Sequence, residues 1–123
     1  MGSYKKLDIW KRSISLSMQI YELTEKFPNF ERFGLAGQMQ RAAVSVPSNI
    51  AEGYGRHSDK EFYYFLGIAK GSLNELQTQL YIAAGREYIS PEQMETLDHE
   101  IDEIGSMLYG LIKKLAVDLG GNR

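Results

Sequence analysis

The stretch SPEQMETLDHEIDEIGSMLYGLIKKL, residues 90–115, decides the fold. Met94, Leu97, Ile101, Ile104, Leu108, Leu111 and Leu115 follow one another in alternating steps of three and four. On a helix that spacing draws a single apolar seam, the pattern of a helix bundle. Ser90 reads as an N-cap, Pro91 as the first helical residue and Gln93 as the partner that completes a capping box. Glu92, Glu95, Asp98, Glu100, Asp102 and Glu103 crowd the first half, and Lys113 and Lys114 lie near the end. Both placements suit the helix dipole. One seam must be buried against other helices, so the rest of the chain has to supply them.

Working back, Ser58-Asp59-Lys60-Glu61 reads as a second capping box, with Ser58 as N-cap and Glu61 reaching back. The helix it opens runs to about Ala84, with Phe62, Phe65, Leu66, Ala69, Leu73, Leu76, Leu80 and Ala83 along one side, and Gly85 ends it near Arg86. An earlier helix runs from about Phe33 to Tyr54, with Leu35, Met39, Ala42, Ala43, Val46 and Ile50 on one face and Gly53-Tyr54-Gly55 as its stop. Pro47 lies inside it and predicts a bend one turn earlier. The first helix runs from about Leu7 to Phe27 and is stopped by Pro28-Asn29. It carries two apolar stripes, Ile9-Leu16-Ile20-Leu23-Phe27 and, beside it, Trp10-Ile14-Tyr21. No segment alternates with period two. The expected fold is therefore all-α, an antiparallel up-down-up-down four-helix bundle in one domain over residues 1–119, with 120–123 as a frayed C-terminal tail.

A chain of 123 residues with 43% hydrophobic residues can bury a core without staples. It has no cysteine, which excludes disulfides, thiolate zinc sites and a cysteine nucleophile, and fits a reducing, cytoplasmic setting. No apolar run reaches the ~20 residues of a membrane span, and the start lacks a signal-peptide stretch. A soluble, cytoplasmic protein without membrane contact is expected. The net charge of −2 is unevenly spread: +3 over residues 1–56 and −5 over residues 57–123. Either the basic half meets a partner, or oppositely charged faces meet within or between subunits.

The third helix is too apolar on its outer side. Opposite the core stripe lie Tyr64, Gly67, Ile68, Gly71 and Ile82, where a surface helix normally carries Lys and Glu. Each interior glycine costs about 1 kcal/mol relative to alanine, tolerable where another helix approaches closely. This surface predicts a homo-oligomer. On the second helix Arg41, Ser45, Asn49, Glu52 and Arg56 fall within one arc. Two readings of this polar ribbon stay open: a binding stripe for a partner or phosphate backbone, or a network between helices or subunits.

Enzyme signatures fail one by one. Gly53-Tyr54-Gly55 lacks a preceding strand and a third glycine, and no phosphate-binding loop or nucleophile elbow occurs. His57 and His99 are the only histidines. The alternative function, a metal-dependent bundle enzyme, would rest on Glu95-x-x-x-His99 and the acidic last helix. Those acids fall mainly opposite the apolar seam, so a solvated face accounts for them better, and no catalytic residue, cofactor or metal is expected.

Four segments carry a resemblance: Leu7-Asp8-Ile9-Trp10, Phe33-Gly34-Leu35 through Gln38, Arg41 through Gly53, and Gly67 through Leu76. The run Ser45-Val46-Pro47-Ser48-Asn49-Ile50-Ala51-Glu52-Gly53 is the most specific of them. Over about residues 4–115 the chain resembles the bacterial four-helix-bundle proteins encoded in intervening sequences of 23S rRNA genes, also labelled S23 ribosomal proteins. It is similar as well to the accessory variability protein of diversity-generating retroelements. The resemblance implies a ring-like homopentamer without catalytic activity and, in the retroelement branch, a basic ring that binds nucleic acid and a reverse transcriptase. This chain departs from that branch in its acidic last helix and its pI near 5.7. Contacts to RNA, DNA or a nucleic-acid-handling protein would fall to Lys5, Lys6, Lys11, Arg12, Arg41 and Arg56, which give the N-terminal half its positive surplus.

Overall fold

In the computed structural model, which describes residues 2–120, four helices form: α1 (Asp8–Thr24), α2 (Leu35–Tyr54), α3 (Asp59–Gly85) and α4 (Pro91–Asp118). Short 3₁₀ turns precede α1 and α2, at Tyr4–Lys6 and Asn29–Glu31. The chain is all-α, and no strand occurs among the described residues. Of the expected tail, residues 121–123 lie outside the described residues; Gly120 closes a turn at φ 82°. The helices run up-down-up-down and pack in the cycle α1–α2–α3–α4, with α4 closing on α1; the diagonal pairs do not meet among the described residues. No helix among them is long and apolar enough to cross a membrane.

The α4 seam enters the core as its spacing predicts. Leu97, Ile101, Ile104, Leu108 and Leu115 are buried, with Met94 and Leu111 half-buried toward the ends. Ser90 Oγ accepts the Gln93 N–H at 3.1 Å, and Gln93 Oε1 accepts the Ser90 N–H at 2.8 Å, the complete box. On α3 only half of the expected box forms. Ser58 Oγ accepts the Glu61 N–H at 3.2 Å, but the Glu61 carboxylate takes the Ser58 hydroxyl at 3.3 Å and faces Arg56 at 3.7 Å.

Two helix ends fall short of the sequence reading. α1 stops at Thr24, because the ring of Pro28 disfavours helical backbone at Phe27 and the chain turns off beforehand. Phe27 is buried all the same and packs on Tyr88 with ring centroids 5.1 Å apart. α2 starts at Leu35 rather than Phe33, because Gly34 is not helical (φ −105°, ψ −118°). Its first N–H group is taken by Glu31, whose Oε1 accepts from Leu35 N at 3.0 Å. A Cβ on Gly34 would stand 2.8 Å from that oxygen, so a side chain there would make the Glu31 carboxylate shift from this capping position.

Pro47 is buried within an unbroken α2. Having no N–H, it leaves the carbonyl four residues earlier, at Ala43, without its helical donor. Ser17 of α1 replaces that donor: its Oγ lies 3.0 Å from the Ala43 oxygen. The same hydroxyl lies 2.9 Å from the Ser13 carbonyl, which already has a helical partner, so its single proton serves Ala43 best. Small residues make the approach possible, with Ser13, Ser17, Ala42 and Ala43 all buried. Ser17→Ala is expected to cost about 1–2 kcal/mol in urea unfolding by stranding a buried carbonyl. In a Pro47→Ala background the cost should largely vanish, since an alanine at this position would supply the missing N–H; additive effects of the two changes would refute this account.

Candidate functional site

The outer face of α3 is exposed and mostly apolar, with one charge, Glu75, between Gly71 and Ile82. Tyr64 is 64% exposed, Ile82 50% and Ile68 36%. Gly67 and Gly71 face open space, with nothing within 4 Å of where a Cβ would stand. Gly53 of α2 is the opposite case: a Cβ there would lie 2.7 Å from Phe65 Cβ, so this glycine serves the α2–α3 contact. Among the described residues nothing packs against the glycine pair of α3.

Tyrosines border this face on the α4 side. Tyr81 donates its hydroxyl to Asp98 Oδ2 at 3.0 Å, and Tyr109 is exposed on α4 beside Gly110, which also faces open space. Gln77 donates to Asp98 at 2.9 Å and to Asp102 at 2.8 Å. The α3–α4 surface is thus a groove with ordered polar walls. Open spaces of about 370 Å³ over Gly105, about 640 Å³ beside Tyr81 and Ile82, and about 490 Å³ at Tyr63 and Ala116 follow one another along it. Sequence reasoning missed Tyr81 and Tyr109, which lie outside the α3 stripe and join it only once α4 packs alongside. It also missed Phe33, 89% exposed with the Arg32 guanidinium 5.5 Å from its ring centre.

The polar ribbon of α2 is divided. Ser45 Oγ lies 2.8 Å from Ser72 Oγ on α3, and Asn49 Nδ2 donates to the Ser45 carbonyl at 2.8 Å and to its hydroxyl at 2.9 Å. These three form a half-buried network between helices. Glu52 joins Arg56 at 2.6 Å near the surface, one helical turn apart. Arg41 is exposed and joins neither group.

The six basic candidates fare differently. Arg12 reaches from α1 to α4, where it binds Glu100 at 2.7 Å and, through the same nitrogen, Glu103. Hydrogen bonds to Glu100 and then to Glu103 raise its pKa still further above neutrality. Arg56 is held by Glu52 and Glu61 and lies 4.9 Å over the Phe65 ring. Lys5, Lys6 and Lys11 are exposed on the N-terminal segment and α1, and with Arg41 they have no ion pair among the described residues.

His99 is exposed and its Nε2 lies 3.1 Å from Glu103, not from Glu95. No three His, Asp or Glu residues among those described converge as metal ligands.

Residues 5–110 match the family described as 23S rRNA-intervening sequence protein. The chain belongs to that family. A solved relative shares the fold and much of the length: a protein of unknown function from the S23 ribosomal protein family of Bacteroides thetaiotaomicron. It is 28% identical, with a TM-score of 0.80 over 85% of this chain and 98% of that one. No curated protein matches the sequence. In this chain the four-helix frame carries the α3 face and the α1–α4 ion cluster described above.

That cluster has a pH signature. Hydrogen bonding to Arg12 first, and its charge together with that of His99, hold the Glu103 carboxyl below the usual carboxylate range. A carboxyl depressed in the folded state stabilises it above the unfolded pKa, and that contribution is lost as pH falls through the folded value. Below the ordinary carboxylate range, the melting temperature of the wild type should therefore fall toward that of Glu103→Gln. A gap that stays constant on acidification would contradict this.

Proposed function

We propose that this chain is a non-enzymatic interaction module of its family that assembles with copies of itself through the outer face of α3. The carrying observation is the glycine pair Gly67 and Gly71, open to solvent between Tyr64, Ile68 and Ile82 in the middle of a 27-residue helix. Exposed glycines weaken a helix, whereas an incoming helix can use the missing side chains to approach closely. The assembly we infer is the ring-like homopentamer that the sequence resemblance implies. Catalysis has no part in this reading, since the α3 face holds no convergent acid, base or nucleophile.

Association with RNA or DNA is the narrower part of the reading. Its contacts rest on Lys5, Lys6, Lys11 and Arg41, because Arg12 and Arg56 already have carboxylate partners. A ring would set several copies of these cations side by side, which a single acidic chain does not.

Light scattering at micromolar concentration should give a species well above the 14.0 kDa of one chain, and a monomer would overturn the reading. Gly67→Ala and Gly71→Ala should each stabilise the isolated fold by up to about 1 kcal/mol while weakening assembly. A variant that gains stability and assembles as before would remove the role given to the glycines. For nucleic acid, a structured RNA should be retarded in a gel at low salt and released as salt rises, with Lys5→Glu/Lys6→Glu weakening the shift. No retardation at low salt would dismiss that part alone.

A further inference from the structure

The chain carries a second unpartnered apolar strip, on the side of α1 turned away from its own core. Ile14, Met18 and Tyr21 follow at steps of four and three; Met18 is 65% exposed, Tyr21 is 44% exposed and Ile14 is half-buried. The buried residues Ile9, Leu16 and Ile20 occupy the opposite side of this helix. Steps of three and four on an amphipathic helix are the anchor spacing of helix-in-groove recognition.

We infer that this strip of one copy docks into the α3–α4 groove of the next, with Met18 and Tyr21 as anchors. The inference rests on the self-assembly reading and adds a contact beside the α3 face: the groove shares Ile82 with that face, while Gly67 and Gly71 lie outside its lining. Length agrees: α1 has 17 residues, and the groove follows α4 from Asp98 to Ala116, so both are about 25–30 Å long at 1.5 Å per residue.

Charge supplies the direction. α1 carries exposed Lys11 near its start and Glu22 and Glu25 near its end. The groove carries Asp98 and Asp102 in the first half of α4, and toward its other end Lys60 on α3 and Lys113 on α4. Lys11 to Glu25 and Asp98 to Lys113 are separations of about 21 and 22.5 Å at helical rise. A docked α1 running parallel to α4 sets Lys11 on the two aspartates and Glu22 and Glu25 toward the two lysines. The reverse direction brings like charges together and is disfavoured. Lys11 is then used in assembly, which leaves Lys5, Lys6 and Arg41 to face a phosphate backbone.

The two surfaces are different, so the contact is head-to-tail and every copy offers one of each. Such contacts close into a ring when the rotation between copies permits.

This asymmetry gives the test. Met18→Glu spoils the strip and keeps the groove, whereas Tyr109→Glu spoils the groove and keeps the strip. By light scattering each variant alone should be a monomer, and an equimolar mixture should give a 1:1 dimer of twice the single-chain mass that grows no further. Circular dichroism and thermal melting check that both variants fold; Asn74→Trp, which fills the groove from an exposed position, replaces Tyr109→Glu if helicity is lost. A mixture that stays monomeric, or a variant that still assembles alone, overturns the docking while an assembled wild type leaves the self-assembly reading standing. A monomeric wild type overturns both.

Discussion

A serine hydroxyl reaching across to a neighbouring helix sets the geometry on which the bundle depends. Pro47 denies the Ala43 carbonyl its helical donor, and Ser17 of α1 stands 3.0 Å away in its place. The bond forms only because small side chains let the two backbones approach, and the approach in turn buries Met39, Val46 and Ile50. α2 uses the same device on its other side. Gly53 removes the Cβ that would collide with Phe65, and the Ser45–Ser72 contact ties the middle of the two helices together. α2 is thus the element on which α1 and α3 are positioned, with α4 added as the fourth wall.

The closing wall is built from different material. α4 meets α3 through its apolar seam and through polar contacts such as Gln77 with Asp98 and Asp102. Toward α1 the contact is looser, and Arg12 bridging to Glu100 and Glu103 helps to close it. Partly exposed ion pairs contribute modestly, so this cluster orients the two helices more than it stabilises them. It also removes the most N-terminal arginine from the set of free cations, so the electrostatics of the fold and those of any nucleic-acid contact are coupled at one residue.

Outward, the same frame leaves two unequal apolar surfaces. One is the α3 face with its neighbouring groove, which carry exposed glycines and tyrosines; the other is the strip on α1. Tyrosine gives large contact area at low cost in conformational entropy, and glycine lets backbones come close. Placed on different helices, the two surfaces suit head-to-tail contact better than self-complementary pairing.

The sequence by itself determined the helix count, the seam of α4, its capping box and the direction of each helix, because these depend on local spacing and on caps within a few residues. It also marked the glycine-bearing face of α3, since a face is a matter of phase along one helix. The starts and ends displaced by two or three residues were not legible: the Glu31 cap on Leu35 needs the Gly34 conformation, and Phe27 stays in the core after its helix has ended. Only the tertiary structure decided which charges are free. Arg12 and Glu100 are 88 positions apart in sequence and meet because α4 folds back antiparallel beside α1. Tyr81 and Tyr109 likewise join one groove only after α3 and α4 pack. Spacing rules reach a few turns along a helix, whereas these pairings depend on which faces of distant helices are brought together.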